Sequence, residues 1–339
     1  MDRRAAGDDR VGIHHEGAVV RVGVFTVIMK DRGFEEALDA LAEMGAQAVE
    51  IGTGNWPGSE HCDVDGLLGD AAARRRYRDA IESRGMVISA LSQHGNPVHP
   101  DAAVATHDHA VWVKTLRLAE ELEVPVVNAF SGCPGDGPEA RRPNWVACAW
   151  PPEFRDILNW QWDQVLIPYW QAQLPALARH GVKVALEMHP GYCVYNTETL
   201  LALREATGPA VGANYDPSHL FWQGMDPVAT IKALGAAVHH VDAKDTFVDH
   251  ANVAVNGVLD TKNYERLAER SWYFRTIGYG QGERVWRDII SALRLVGYDW
   301  VVSIEHEDIL MGADEGVRKA LDLLLRLCPS EPAGRTWNW

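Results

Sequence analysis

The sequence predicts an α/β protein, a (β/α)8 barrel with long loops after its fourth and seventh strands. Three observations carry that expectation. Eight short apolar runs recur along the chain, each followed by a segment with the 3.6-residue period of a helix. The runs are too apolar to leave one face in water, which is the mark of parallel strands covered on both sides. Ionisable residues gather where the runs end, and that is the edge at which a parallel barrel carries its chemistry. A doubly wound open sheet is the fallback architecture.

In chain order, the strands are expected at 19–28 (VVRVGVFTVI), 47–52 (QAVEIG), 86–92 (MVISALS) and 124–130 (VPVVNAF). The rhythm repeats at 182–188 (VKVALEM), 210–215 (AVGANY), 238–243 (VHHVDA) and 300–305 (WVVSIE). Helical periodicity fills the intervals at 34–44, 70–84, 103–122, about 160–180, 197–206, 226–235, 283–296 and 314–327. Two connections, 131–159 and 246–282, are long and leave the carboxyl ends of their strands, so they read as lids or binding loops. Residues 1–17 read as a flexible N-terminal segment, 18–328 as a single barrel domain and 329–339 as a C-terminal tail.

The chain has 339 residues, 47% hydrophobic and 23% charged, enough for one large core. No stretch approaches the roughly 18 apolar residues of a membrane span, and the start lacks the apolar core of a secretory signal. The expected location is therefore the cytoplasm, with no membrane partner. A formal net charge of −15 repels a phosphate backbone, so nucleic acid is not an expected partner either. The five cysteines, at 62, 133, 148, 193 and 328, contain no CxxC pair and read as free thiols.

The strand ends are the informative places. The third run is followed by His94 (SQHGN), and the fifth ends in Glu187 and His189 (ALEMHP). The sixth leads to Asp216 and His219 (DPSH), the seventh to His240, Asp242, Lys244 and Asp245 (HHVDAKD), and the eighth to Glu305 and Glu307 (SIEHED). Alternation along a strand puts 187 with 189, and 240 with 242 and 244, on one face. Carboxylates and imidazoles crowded together need a positive charge between them, and a divalent cation is the simplest one. An oxygen-rich donor set points to Mn²⁺, with Mg²⁺ and Co²⁺ as alternatives. The competing reading is a set of structural salt bridges through Lys244 and Arg275. His219 reads as a ligand-sphere or substrate contact, whereas His239 is expected to face away from the lining set.

Taken together, ALEMHP, DPSH, HHVDAKD and SIEHED resemble the xylose isomerase-like barrels, often labelled sugar phosphate isomerase/epimerase, and the resemblance runs over nearly the whole chain. It implies a metal held by Glu187, Asp216, Asp242 and Glu305. The family commonly reads HxHxKD on strand 7, whereas Asp242 stands here at the usual histidine. Asp242 is preferred as ligand because it lies nearer the strand end, with His240 as the alternative. The ketose epimerases of the family imply Glu187 and Glu305 as the acid/base pair. His189, on the same face as Glu187, is a competing base and ranks ahead for a single proton abstraction.

The sequence offers little to hold a phosphate, since no Gly-rich loop is read at strands 7 and 8 and the charge is negative, so an uncharged sugar is the expected substrate. His94, His219, Lys244, Arg275 and Trp145 are the expected substrate contacts. Trp145, Trp150, Trp160, Trp162, Trp170, Trp272, Tyr273 and Tyr279 lie in or beside the two long connections, either as sugar or aglycone platforms or as loop packing. The Glu187-Met188-His189 triplet also resembles the catalytic subunits of 3-oxo-C-glycoside deglycosidases. That resemblance implies a lyase outcome by β-elimination and a small β-rich second subunit. A homo-oligomer is compatible with the sequence, and a non-catalytic sugar-binding barrel is the further alternative.

Overall fold

The structure is a computed structural model that describes residues 19–331. The segment 1–17 and residues 332–339 of the expected tail lie outside the described residues. Among the described residues there are ten strands: β1 (Arg21–Phe25), β2 (Ala48–Gly52), β3 (Val87–Ser92), β4 (Val126–Phe130), β5 (Lys183–Glu187), β6 (Val211–Tyr215), β7 (Val238–Ala243), β8 (Asp245–Val248), β9 (Trp272–Arg275) and β10 (Val301–Ile304). Eight of them close into a parallel barrel in the order β1-β10-β7-β6-β5-β4-β3-β2. Every residue of β2, β4 and β6 is buried, which is why these runs carry no polar face toward water.

The first apolar run is shorter as a strand than its composition suggests. It stops at Phe25, and residues Thr26–Met29 coil into a 3₁₀ turn. The Thr26 hydroxyl donates to the Glu50 carbonyl at 3.1 Å, so a side chain meets the neighbouring strand where the ladder ends. At β7 the pairing with β6 skips a residue: Ala213 faces Val238 and Asn214 faces His240. The bulge at His239 sends that imidazole out of the barrel, where its Nδ1 meets the Val184 carbonyl at 2.9 Å. Only a glycine at 212 leaves room, because a Cβ there would lie 2.5 Å from the His239 ring. His239 thus packs outside the lining set, as its position in the strand suggests.

The two long connections hold structure that periodicity did not reveal. Helix begins at Pro152 rather than near 160 and continues to His180, interrupted by a π-helical segment at Gln161–Leu166. Pro168 has no N–H to give to the turn before it, and a π segment next to a proline relieves that mismatch. Gln161 is buried there, and its amide donates to the carbonyls of Gly135 (2.9 Å) and Asn144 (2.6 Å), tying the loop after β4 to the helix.

In the other connection β8 and β9 form an antiparallel hairpin, with Asp245 opposite Arg275 and Val248 opposite Trp272, and a short helix spans His250–Asn256. Asp245 anchors the far end. Its carboxylate accepts from the backbone N–H groups of Thr246, Gly278, Gly280 and Gln281 and from the Trp286 indole, at 2.8 to 3.2 Å. Asp245→Ala would leave these buried donors unmatched and is expected to lower stability by about 3 kcal/mol, read as a lower denaturant midpoint at constant slope. A midpoint equal to wild type would show that the hairpin is anchored elsewhere.

Candidate active site

The barrel interior is apolar only at one end, where Ala90, Val126 and Ala185 pack together. The layer above is polar, whereas branched apolar residues usually fill this space. Glu50 (β2), Asn128 (β4), Asn214 (β6) and His240 and Asp242 (β7) all lie inside it and are fully buried. The Asn128 amide donates to Glu50 Oε1 at 2.9 Å and lies 3.1 Å from His240 Nδ1. Ser92 Oγ donates to the same Glu50 oxygen at 2.5 Å, and Asn214 Nδ2 donates to Asp242 Oδ2 at 2.5 Å. Glu50, Asn128 and Asn214 were not among the residues expected to matter. The available signal was a single polar residue inside an apolar strand, repeated in QAVEIG, VPVVNAF and AVGANY.

At the carboxyl ends of the strands this layer meets a second group centred on Glu187. His94 Nε2 lies 3.0 Å from Glu187 Oε2, and His219 Nε2 lies 3.2 Å from both Glu187 Oε1 and Asp216 Oδ2. Pro217 and Ser218 make the turn that brings His219 back over Asp216, whose carboxylate accepts from the Ser218 N–H (2.8 Å) and hydroxyl (2.9 Å). Lys244 lies 3.4 Å from Asp216, 3.0 Å from Glu305 and 3.5 Å from Glu307. The His189 ring sits 4.0 Å from that of His219, and its Nδ1 is 2.6 Å from the Pro190 carbonyl oxygen. A carbonyl only accepts, so Nδ1 carries the proton and the Nε2 lone pair is free.

The electrostatics are those of too many anions for the cations present. Burial, reinforced by Glu187 and Asp242 and opposed by Lys244, pushes the Asp216 carboxyl up to about 8. Burial and Asp242 lift Glu50 to about 7, and burial and Glu187 lift Asp242 to about 6. Burial also carries Glu305 well above the carboxylate range in spite of Lys244. Glu187 goes the other way: burial disfavours its charge, but His219 and His94 against it hold the carboxyl well below its ordinary value. Burial lowers His189, which keeps its imidazole neutral.

These residues fit a divalent cation. Among the described residues, donor atoms lie within 4.8 Å of one another in three sets: Glu187, His189 and His219; His94, Glu187 and Asp242; and Glu50, His240 and Asp242. His94 Nε2 and His219 Nε2 meet only carboxylate oxygens, Asp242 Oδ1 meets His240 Nδ1 at 3.3 Å, and His240 Nε2 is buried without a hydrogen-bond partner, an arrangement a bound ion would complete. Asp216 and Glu305 share the same mouth but are drawn to Lys244.

A cavity of about 550 Å³ opens beside this group, lined by His189, Tyr264, Tyr273, Phe274, His306 and Glu307 among others. Two residues read as substrate contacts are placed elsewhere. Trp145 lines a separate 280 Å³ cavity with Trp162 and Tyr195, and Arg275 is bound to Asp308 at 3.0 Å and stacks over Tyr279. Two of the aromatic residues of the long connections pack rather than line the mouth, Trp272 stacking on Trp222 at 4.5 Å and Trp170 meeting Trp112 edge-on, while Trp150 is exposed. Of that set Tyr273 lines the cavity.

The reading that no Gly-rich loop precedes a helix near strand 7 also needs correction. The run TIGYGQG, 276–282, leads into helix Glu283–Leu295. Its amides are directed to Asp245, and Gly280 lies so close to Thr246 that a Cβ would meet its backbone at 2.4 Å. The loop amides are thus engaged by the Asp245 carboxylate.

A family model described as a xylose isomerase-like TIM barrel matches residues 38–327. The uncharacterized protein YfiH of Bacillus subtilis (strain 168) is 40% identical over 294 residues, covering 86% of this chain and 94% of its own length. Two solved structures share the fold: the IOLI protein with a zinc atom (TM-score 0.62, 16% identity, 91% of this chain and 98% of the other) and a D-tagatose 3-epimerase-like protein (TM-score 0.59, 19% identity, 91% and 98%). Among the described residues no helix is long and apolar enough to cross a membrane.

Proposed function

The chain belongs to the xylose isomerase-like TIM barrel family, and on that premise we propose that it is a divalent-metal-dependent enzyme that removes the proton alpha to the carbonyl of an uncharged keto-sugar or 3-keto-glycoside. The observation that carries this reading is the Glu187 carboxylate wedged between His94 and His219, with His189 beside it on the wall of the cavity. Glu187, Asp216, Asp242 and Glu305 would hold the cation, with His240 as the alternative to Asp242. The oxygen-rich set favours Mn²⁺, with Mg²⁺ or Co²⁺ next. When bound, the ion polarises the substrate carbonyl and acidifies the adjacent C–H.

The residues of the chain do the rest. His189 Nε2 accepts the proton, and the Pro190 carbonyl holds the ring in the tautomer that makes this atom a base. His94, His219 and Lys244 face the same mouth and orient hydroxyl and carbonyl oxygens. Protonation of the enolate by Glu305, whose carboxyl burial holds well above the usual range, gives epimerisation at the same carbon or isomerisation at the former carbonyl carbon. The proton left on His189 passes to solvent. Because burial lowers His189 from 6.5, the acid limb of kcat/KM is expected to fall below pH 6.5, since the base stays deprotonated until then. An acid limb above that value would remove His189 as the base.

The size of the cavity and the rings of Tyr264, Tyr273 and Phe274 favour one further reading, in which the enolate expels a group at the beta position and the protein is a C-glycoside lyase with a small second subunit. Incubating Mn²⁺-loaded protein with 3-keto-glucosides in D₂O separates the two. Deuterium incorporation without aglycone release is the isomerase or epimerase result, release is the lyase result, and the absence of both would reject this substrate class.

A further inference from the structure

We propose that the cavity between the long connection after β4 and the segment after β5 is a second ligand site, and that it takes a small quaternary ammonium compound. The cavity has a volume of about 280 Å³. Among the described residues it shares no lining residue with the cavity at the mouth of the barrel, so the proposal stands apart from the reaction above. Its lining includes the rings of Trp145, Trp162 and Tyr195 and the carboxylates of Asp163 and Glu198, and among the described residues no Lys, Arg or His joins them. A site with carboxylates and no cation of its own, on a chain of formal net charge −15, attracts cations and repels anions.

The aromatic residues decide which kind of cation. The rings of Trp145 and Tyr195 lie 5.5 Å apart at 82°, so they form a corner of two perpendicular π surfaces, and Trp162 supplies a third ring. A cation against such surfaces is attracted by the ring quadrupoles. A metal ion or a primary ammonium would give up strong bonds to water there, whereas methyl groups around a quaternary nitrogen have none to lose. Asp163 and Glu198 are exposed, so they act through their field rather than as a closed ion pair. The Trp145 Nε1 is buried without a hydrogen-bond partner, and an oxygen near the ammonium, as in choline, offers it an acceptor.

Both walls are fixed before any ligand arrives. Gln161 opens the π-helical segment that carries Trp162 and Asp163, and its amide donates to the Asn144 carbonyl at 2.6 Å, which ties the neighbouring Trp145 to that segment. Opposite, the Tyr195 N–H donates to Thr199 Oγ1 at 3.0 Å, and the Thr199 N–H donates to the Asn196 side chain at 2.9 Å. Tyr195 and Glu198 are thereby held on one capped helix start. Rings ordered in advance cost little entropy on binding, and π-helical segments are frequent at ligand sites.

The test titrates wild type, Trp162→Leu and Tyr273→Leu with choline and, separately, with dimethylbutanol, its uncharged isostere, and reads affinity by ligand-observed nuclear magnetic resonance. Wild type is expected to bind choline saturably and at least about tenfold more tightly than the alcohol. Trp162→Leu keeps an apolar wall and removes a ring, so choline should weaken by about tenfold while the alcohol changes little. Tyr273→Leu alters only the cavity at the mouth and should bind choline as wild type does. Equal affinity for choline and the alcohol would overturn the proposal. So would absence of choline binding, or a loss seen in Tyr273→Leu and not in Trp162→Leu. Should circular dichroism show Trp162→Leu to be misfolded, the double variant Asp163→Asn with Glu198→Gln replaces it. Its choline affinity should fall by about threefold at low salt and meet the wild-type value at high salt, and a wild-type value at low salt would overturn the proposal as well.

Discussion

Glu187→Gln is expected to purify with little bound divalent metal and to lose turnover by at least about 10⁴-fold. The substitution keeps the shape of the side chain and removes its charge. In the wild-type arrangement both carboxylate oxygens face imidazole nitrogens, at 3.0 Å for His94 and 3.2 Å for His219. The glutamine must present an NH₂ group to one of them, which then has to act as an acceptor. Even altering the outer partner of a metal ligand costs about 10- to 100-fold in affinity, so loss of a ligand itself should exceed that. Metal content and steady-state rates on the same preparation decide the matter. Full occupancy with lost turnover would withdraw Glu187 from the ligand set and leave it a proton-transfer role alone.

His189→Ala should separate binding from chemistry. Metal content should be unchanged, because the proposed cation would keep Asp216, Asp242 and Glu305 besides Glu187, while turnover falls by about 10² to 10⁴. That corresponds to roughly 3 to 5 kcal/mol of transition-state stabilisation. KM should move little if the ring acts mainly on the proton in flight. The ring also packs against Phe130 at 5.0 Å and His219 at 4.0 Å, so a modest loss of stability is expected with it. Normal turnover in His189→Ala would return the base to Glu187 and Glu305. Normal turnover with a normal pH profile in both variants would reject the proton-abstraction reading altogether.

Much of the molecule is legible in the chain. Runs such as AVGANY and VKVALEM are buried on both faces, and only a strand covered on both sides requires that. The tips are legible for the reason that opened the question of function: ALEMHP, DPSH, HHVDAKD and SIEHED put charge where a buried strand has no other need of it. Local alternation correctly separated His239 from His240, although the structure achieves it with a bulge.

What stayed hidden depends on closure of the barrel. Asn128 meets His240 across 112 positions of sequence, and Glu50 meets Asn128 across 78, so no window along the chain shows that they form one polar layer. The hairpin within 246–282 owes its place to Asp245 gathering amides more than 30 residues away, which composition reads only as a loop. Lys244 was visible as a charge, but its choice of Asp216 and Glu305 is a matter of which carboxylates the barrel brings within 4 Å. Sequence by itself determined the eight barrel strands and the ionisable residues gathered at their ends, because burial and period are local properties. Tertiary structure alone decided which of those charges share one desolvated space, because electrostatic coupling there follows distance in three dimensions rather than order along the chain.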